Sequence, residues 1–184
     1  MAELVFGRSN TVKSIMERRS IRSFQERPIE KEKIENILRA GMQAPSAKDC
    51  RCWEFLIVTK EEDKKNISKM SEYGMCAAKA GAVIIPLVNF HLTNPEELWW
   101  VEDMSAATQT MLIQIEEEGL GGTWLGMYPL MNRVEKLKKY FNLPEHILPF
   151  AMIACGYKAK RKPAEDRWDE KKVHWGSYEA KEKK

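Results

Sequence analysis

Three arginines and two serines lie within six residues near the start of the chain. The segment Arg18-Arg19-Ser20-Ile21-Arg22-Ser23 directly follows a short stretch with helical periodicity. Guanidinium groups bind phosphate through paired hydrogen bonds, and a serine hydroxyl adds a neutral donor. The cluster therefore indicates a site for a phosphorylated ligand. The alternative for such a cluster, taken alone, is a solvated basic loop.

A glycine-rich segment is the second candidate for ligand binding. It runs Gly119-Leu120-Gly121-Gly122-Thr123-Trp124-Leu125-Gly126. Glycines allow a ligand to approach the backbone closely. The pattern is not the dinucleotide-binding GxGxxG, because Trp124 takes the place of the third glycine, and it is not a phosphate-binding P-loop, because Met127 follows Gly126 where that motif has lysine. Phosphate binding must then depend on side chains such as the arginines. Gly119 itself is expected to end the preceding helix.

Other candidate residues carry little information when taken singly. Ala44-Pro45-Ser46 follows a helical stretch, Trp53 opens an apolar run, and Arg167 lies in the charged final segment. The ordinary interpretations are a helix end, a core tryptophan and a surface arginine. The histidines are scattered and form no catalytic triad or HExxH motif, so nothing in the sequence supports a hydrolase.

Composition limits the class of protein further. The chain has 184 residues, 43% hydrophobic and 31% charged, with a net charge of +3. This is typical of one globular domain and gives no argument for a nucleic-acid or membrane partner. The start lacks the basic and apolar regions of a secretory signal, so we expect a cytoplasmic protein with reduced cysteines. The spacing Cys50-Arg51-Cys52 is not that of a CxxC zinc or thioredoxin site, and no metal ligands are assigned.

Helical and strand patterns alternate along the chain. Helices are predicted at 11–17, 30–42, 61–70, 98–118 and 133–140, the last capped by Asn132, and strands at 53–58, 82–88, 123–127 and 150–156. Pro86, inside a buried strand, is expected at a bulge or where no ladder bond is needed. Strands separated by helices predict a sheet covered on both faces. The whole of 1–184 is one domain, with a core at about 11–160 and an aromatic-bearing C-terminal arm at 161–184 that is expected to dock on a partner subunit.

Six stretches of the chain, taken together in their order and spacing, resemble the flavin (FMN)-dependent nitroreductase family. The resemblance runs from Thr11 to Trp175. The stretches that carry it are RRSIRSF at 18–24, APS at 44–46, WEF at 53–55, WWVEDMSAATQTML at 99–112, GLGGTWLGMYP at 119–129 and ACGYKAKRKP at 154–163.

The resemblance implies an α+β fold, a three-layer α-β-α sandwich with a central mixed, mostly antiparallel sheet. It implies a homodimer with exchanged C-terminal arms and FMN at the interface, and an enzyme that uses NAD(P)H to reduce a nitroaromatic, a quinone or a similar acceptor by a ping-pong mechanism. Because the flavin carries the chemistry, no catalytic side chain is assigned.

The resemblance also assigns the cofactor-binding residues. The phosphate and ribityl side would be held by Arg18, Arg19, Ser20 and Arg22, and the phosphate site would be completed by Arg167. The isoalloxazine would be bordered by Pro45 and Ser46 of the partner subunit and by Leu125 and Gly126, whose backbone N–H groups lie near its reactive nitrogen.

One segment departs from the family pattern. Relatives usually have Asn-x-Gln-Pro-Trp where this chain has Asp49-Cys50-Arg51-Cys52-Trp53. In the matching positions Asp49 and Arg51 would border the flavin's pyrimidine edge. The carboxylate would oppose negative charge on the reduced flavin and Arg51 would offset it, which predicts an altered flavin potential. The alternative is that the two residues pair with each other and barely touch FMN. Cys50 and Cys52 could take part in thiol redox chemistry beside the flavin. The simpler interpretation is that they are buried or solvent-facing thiols without such a role.

Three other functions remain open from the sequence. The flavin could support another reductive chemistry, such as dehalogenation or flavin fragmentation. The chain could also be a non-catalytic flavin-binding or sensor protein, or a structural dimeric domain without flavin. The sequence does not identify the acceptor or a preference between NADH and NADPH.

Overall fold

The computed structural model describes residues 10–178, with side chains from residue 13 onward; residues 1–9 and 179–184, which the sequence analysis placed in the single domain and its C-terminal arm, lie outside the described residues. The helices are α1 (Asn10–Glu17), α2 (Lys31–Met42), α3 (Glu61–Ser68), α4 (Trp99–Glu117) and α5 (Met131–Phe141). The strands are β1 (Trp53–Val58), β2 (Ala82–Asn89), β3 (Gly121–Gly126), β4 (Ile147–Pro149) and β5 (Ala151–Gly156). Short 3-10 helices lie at Ala47–Asp49, Gly74–Lys79 and Glu170–Lys172.

The strands form one sheet in the order β1-β2-β5-β3, with β4 also paired to β2. All of these strand pairs are antiparallel. An isolated parallel bridge between Ser20 and Gly122 adds the segment after α1 to the free side of β3. The sheet is therefore mixed but mostly antiparallel, and the predicted α+β class is confirmed.

Helices cover both faces of the sheet. Successive side chains of a strand point to opposite faces, so the apolar strands present apolar residues on each side. On one face Ile84 and Ile153 pack with Ile37 of α2 and Met111 of α4. The other face belongs to a larger cluster that includes Ile67 of α3 together with the following residues of β2, β5 and α5: Val83, Ile85, Leu87, Met152, Ala154, Val134 and Leu137. This arrangement is the predicted three-layer sandwich.

The bulge expected at Pro86 is present. Strand β2 pairs with β4 up to Leu87–Pro149 and with β5 from Ile84–Ile153. Between these pairs, the three residues 150–152 lie opposite only two residues of β2, Ile85 and Pro86. The N–H of Phe150 donates to the carbonyl of Pro86 at 2.9 Å. A proline is accommodated in this central strand because the neighbouring chain bulges past it.

The connection from α4 to β3 is a Schellman motif, as the sequence suggested for Gly119. Gly119 has φ +74°, and its N–H donates to the carbonyl of Glu116 at 3.0 Å. The N–H of Leu120 donates to the carbonyl of Ile115, also at 3.0 Å. Glycine accepts the left-handed conformation without steric cost, so the chain reverses here and places β3 next to the segment after α1.

The predicted cap of α5 is wrong. Asn132 lies inside the first turn, and the helix begins at Met131. The carbonyl of Leu130 accepts the N–H groups of Arg133 and Val134, so the helix starts from that carbonyl without a side-chain cap. Strand β4 was not predicted either, because three residues between a loop and a bulge carry no periodicity.

The arm at 161–178 runs over the surface with only one short 3-10 helix. Three of its aromatic residues are exposed: Trp168 to 71%, Trp175 to 89% and Tyr178 to 82%. Among the described residues, no helix is both long enough and apolar enough to span a bilayer.

Candidate functional site

Three of the assigned arginines, Arg18, Arg19 and Arg167, line one cleft. It has a volume of about 490 Å³ and lies between the end of α1 and the arm. The lining residues are Ile15, Met16, Arg18, Arg19, Glu165, Asp166, Arg167 and Trp168. Partial burial lowers the pKa of the Arg18 guanidinium, and the like charges of Arg167 and Arg19 lower this pKa further. The charge of Glu116 raises this pKa in part, and Arg167 Nε lies 3.4 Å from Glu165 Oε2. A bound phosphate would offset the remaining repulsion between the arginines.

Arg19 has a different task in this structure. Its guanidinium donates to four backbone carbonyls: Met16 at 3.1 Å, Arg18 at 2.8 Å, Pro163 at 3.1 Å and Glu165 at 3.1 Å. These bonds attach the arm to the end of α1. Arg19 therefore adds positive charge to the cleft and positions Arg167, while its donors are already engaged.

Ser20 and Arg22 continue along the edge of β3, away from the cleft. The N–H of Ile21 donates to the carbonyl of Gly122 at 3.0 Å, next to the bridge between Ser20 and Gly122. Arg22 lies near Cys76 in the 3-10 helix at Gly74–Lys79. Burial raises the pKa of the Cys76 thiol, and the charge of Arg22 partly offsets this rise in pKa. The structure thus brings Arg18 and Arg167 together and places Arg22 further along the same segment.

The end of β3 offers open backbone. Leu125 is buried, so its side chain faces the core. Gly126 is exposed, and a Cβ added there would meet no described atom within 4 Å. The Gly126 carbonyl accepts from Nη1 of Arg133 at 3.1 Å. There is therefore room for a ligand beside the Cα of Gly126, while Arg133 holds its carbonyl.

The loop after α2 holds the remaining assigned residues in a strained conformation. Pro45 is exposed, and Ser46 Oγ accepts the N–H of Arg51 at 3.0 Å. Lys48, Asp49 and Arg51 have φ of +54°, +52° and +46°. Each such residue without glycine's freedom costs on the order of 1 kcal/mol, and strain of this kind clusters at functional sites.

The segment 49–52, which departs from the family pattern, has two exposed residues, Asp49 and Arg51, and two cysteines that face inward. Arg51 Nε and Nη2 donate to the two carboxylate oxygens of Asp49 at 2.7 and 2.8 Å, with both side chains about two-thirds exposed. The structure thus contains the Asp49–Arg51 ion pair that the sequence analysis gave as the alternative to a contact with the flavin. The effect of that pair on a flavin stays a prediction. Cys50 and Cys52 turn inward, and Cys52 is fully buried.

The loop and the arginine cleft lie at opposite ends of α4. At its beginning, the N–H of Ala47 donates to Asp103 Oδ1 at 2.8 Å. At its end, the hydroxyl of Ser14 in α1 donates to the carboxylate of Glu117. A helical rise of 1.5 Å per residue separates Asp103 from Glu117 by about 21 Å. Within one chain, the loop and the cleft therefore cannot border the same part of a ligand.

Asp103 is the residue of this region that the sequence analysis did not single out. It is a buried carboxylate on α4, 5% exposed, on the same helical stripe as Ala107 and Met111. An acidic residue in an apolar stripe was a signal that could have identified it. Trp168, which lines the cleft, was noted only as part of the arm.

Comparison with known proteins agrees with this fold. The model of the nitroreductase family matches residues 15–89 and 74–157. The chain therefore belongs to the nitroreductase family.

Individual relatives match over nearly the full chain. A protein of Methanothermobacter thermautotrophicus, provisionally named NADH dehydrogenase/NAD(P)H nitroreductase, is 37% identical over 165 residues, which is 90% of this chain and 86% of the relative. A crystal structure from Bacteroides thetaiotaomicron with the same provisional name superposes with a TM-score of 0.87 at 37% identity, covering 94% of this chain and all of that one. An FMN-dependent nitroreductase of Clostridium difficile superposes with a TM-score of 0.82 at 29% identity, covering 90% and 98% of the two chains.

Proposed function

We propose that this protein is an FMN-dependent oxidoreductase that uses NAD(P)H to reduce a small organic acceptor such as a nitroaromatic or a quinone. The proposal places it in the cytoplasm as a homodimer. The observation that carries it is the cleft where Arg18 and Arg167 converge, closely enough that the like charges of Arg167 and Arg19 lower the pKa of Arg18. The FMN-dependent nitroreductase of Clostridium difficile, with the same fold, supports the choice of FMN.

The residues present fit this cofactor. Arg18 and Arg167 would hold the phosphate, and Arg19 keeps the arm in position through its bonds to the carbonyls of Pro163 and Glu165. Ser20 follows Arg19 in the chain and is bridged to β3, away from the phosphate cleft, where it would contact the ribityl side. Further along, the open backbone at Gly126 would border the ring system. When bound, FMN supplies the electron-transfer chemistry, and the protein supplies orientation and electrostatics.

A second copy of the chain completes the site in this proposal. Pro45 and Ser46 lie on the loop at the far end of α4, so they would reach a flavin only from the partner subunit. The exposed Trp168 and Trp175 on the arm give each chain apolar surface for docking on its partner. An interface of this kind fits the expected exchange of arms. Nicotinamide and acceptor would then occupy the same open face in turn, which is the ping-pong order.

The experiment is an absorption spectrum of the purified protein, followed by anaerobic titration with NADH and NADPH and by turnover with a quinone. We expect a yellow protein that is bleached by at least one nicotinamide and regains its colour with the acceptor. Bound flavin that neither nicotinamide reduces would instead identify a flavin-binding protein without this activity. A protein that stays colourless after incubation with FMN would contradict the proposal altogether.

A further inference from the structure

Three side chains with metal-ligating atoms converge where the loop after α2 meets α4. The ligand atoms of Cys50, Cys52 and Asp103 all lie within 4.8 Å of one another. The Cys50 thiol donates to Asp103 Oδ2 at 3.3 Å. Zn–S bonds of about 2.3 Å at tetrahedral angles would hold two sulfurs roughly 3.8 Å apart, so the donors need only small movements to bind one ion.

The local backbone keeps the two thiols on the same side. Arg51, between them, is in the left-handed conformation and its side chain points outward to Asp49. The N–H of Ala47 donates to Asp103 Oδ1, which fixes the carboxylate and leaves Oδ2 toward the sulfurs. The strained loop thus presents two sulfurs, and α4 presents one oxygen, to a common point.

Charge and access favour a cation at this point. Asp103 is 5% exposed, and the salt bridges among the described residues do not include it. A buried carboxylate without a basic partner is costly unless a cation or a proton neutralises it. Cys50 is half-buried, so an ion could enter from the solvent side, where water could be the fourth ligand.

We propose that Cys50, Cys52 and Asp103 form a binding site for a thiophilic divalent cation, with Zn²⁺ as the best fit. Two thiolates and a carboxylate make a donor set that suits this ion. On binding, both thiols lose their protons to solvent and no redox step takes place. All three ligands lie where the loop after α2 meets the beginning of α4, far from the arginine cleft of the same chain, so the proposal does not depend on the residues assigned to the FMN phosphate.

The test uses the full chain with whatever flavin it carries. Bound metal is removed with a chelator, zinc chloride is added, excess is removed by desalting, and zinc is counted by mass spectrometry. We expect about one zinc per chain, with an affinity at least tenfold lower in Cys50→Ser and Asp103→Asn. Cys76→Ser removes another half-buried thiol and should bind zinc like the wild type.

A second measurement on the wild type avoids dependence on the variants. The zinc K-edge absorption spectrum should show two sulfur scatterers at about 2.3 Å with lighter atoms completing the shell. A wild-type chain that retains no zinc overturns the proposal, as does a spectrum without sulfur or an equal loss in Cys50→Ser and Cys76→Ser. Flavin content, read from visible absorbance in the same samples, reports separately on the proposed oxidoreductase function.

Discussion

At the scale of single residues, the arginines after α1 differ in their contacts in a way that their sequence does not reveal. The density of arginine and serine predicted an anion site. Only the structure shows that Arg19 is engaged with backbone carbonyls while Arg18 and Arg167 face the cleft. The partly buried Arg18 should therefore contribute more to phosphate binding than any exposed arginine.

Arg18→Ala should weaken FMN binding about tenfold to a hundredfold. A hydrogen bond to a charged group contributes about 1.5–3 kcal/mol, and each 1.4 kcal/mol is a factor of ten. The measurement is quenching of flavin fluorescence on titration of apoprotein. Arg39→Ala, at an exposed position on α2, is the control and should bind like the wild type. Equal affinities for the Arg18 and Arg39 variants would remove Arg18 from the site.

Arg51→Gln tests the departing segment. If the Asp49–Arg51 pair borders the flavin, loss of the positive charge leaves the carboxylate to oppose the negative charge gained on reduction, and the midpoint potential becomes more negative. Redox titration of both proteins measures this. An unchanged midpoint would mean that the ion pair serves only the loop.

At the scale of elements, the sequence predicted the long helices and buried strands to within two residues at each end. Their periodicity is strong, as in α2 and α4, or their apolar runs are uninterrupted, as in β2. The candidate site was less predictable. The left-handed backbone at Lys48, Asp49 and Arg51 and the approach of Asp103 to the loop depend on tertiary contacts that no local pattern encodes.

Strand β3 contains a matched pair of glycines that separates folding from ligand binding. A Cβ at Gly121 would come within 2.8 Å of Ile21 Cβ, whereas one at Gly126 would meet no described atom within 4 Å. Gly121→Ala should lower the free energy of unfolding by about 1–3 kcal/mol through overpacking. Gly126→Ala should leave that free energy within about 0.5 kcal/mol of wild type and still weaken FMN binding or slow turnover.

Urea unfolding and flavin titration of the same samples measure both effects. If Gly126→Ala binds FMN and turns over like the wild type, the backbone of Gly126 does not border the flavin. If Gly121→Ala is as stable as the wild type, Ile21 and Lys158 move aside without loss of free energy. The close contact between the segment after α1 and β3 then does not require glycine at position 121.

At the scale of the whole molecule, one chain leaves its proposed site divided. The arginine cleft and the loop at 44–51 occupy opposite ends of α4, and the arm presents exposed tryptophans. Sequence resemblance supplied the expectation of a dimer. The separation along α4 gives that expectation a physical reason, because a second copy would bring the two halves of the proposed site together.

Replacing Trp168 and Trp175 by alanine should raise the dissociation constant of the dimer at least tenfold, because buried tryptophans commonly dominate the binding energy of interfaces. Both side chains are exposed in the single chain, so the fold of each subunit should survive. Sedimentation equilibrium measures the constant, and Tyr73→Ala, another exposed aromatic that lies outside the arm, is the control. Dimers of unchanged stability would place the interface elsewhere.

The most direct test of a flavin site shared by two chains is sedimentation velocity of the FMN-loaded protein, recorded at both the protein and the visible flavin absorption bands over a dilution series. If two chains share the site, flavin absorbance travels only with a species of twice the chain's mass and is released as dilution produces monomer. Flavin that stays bound to a monomer would contradict it.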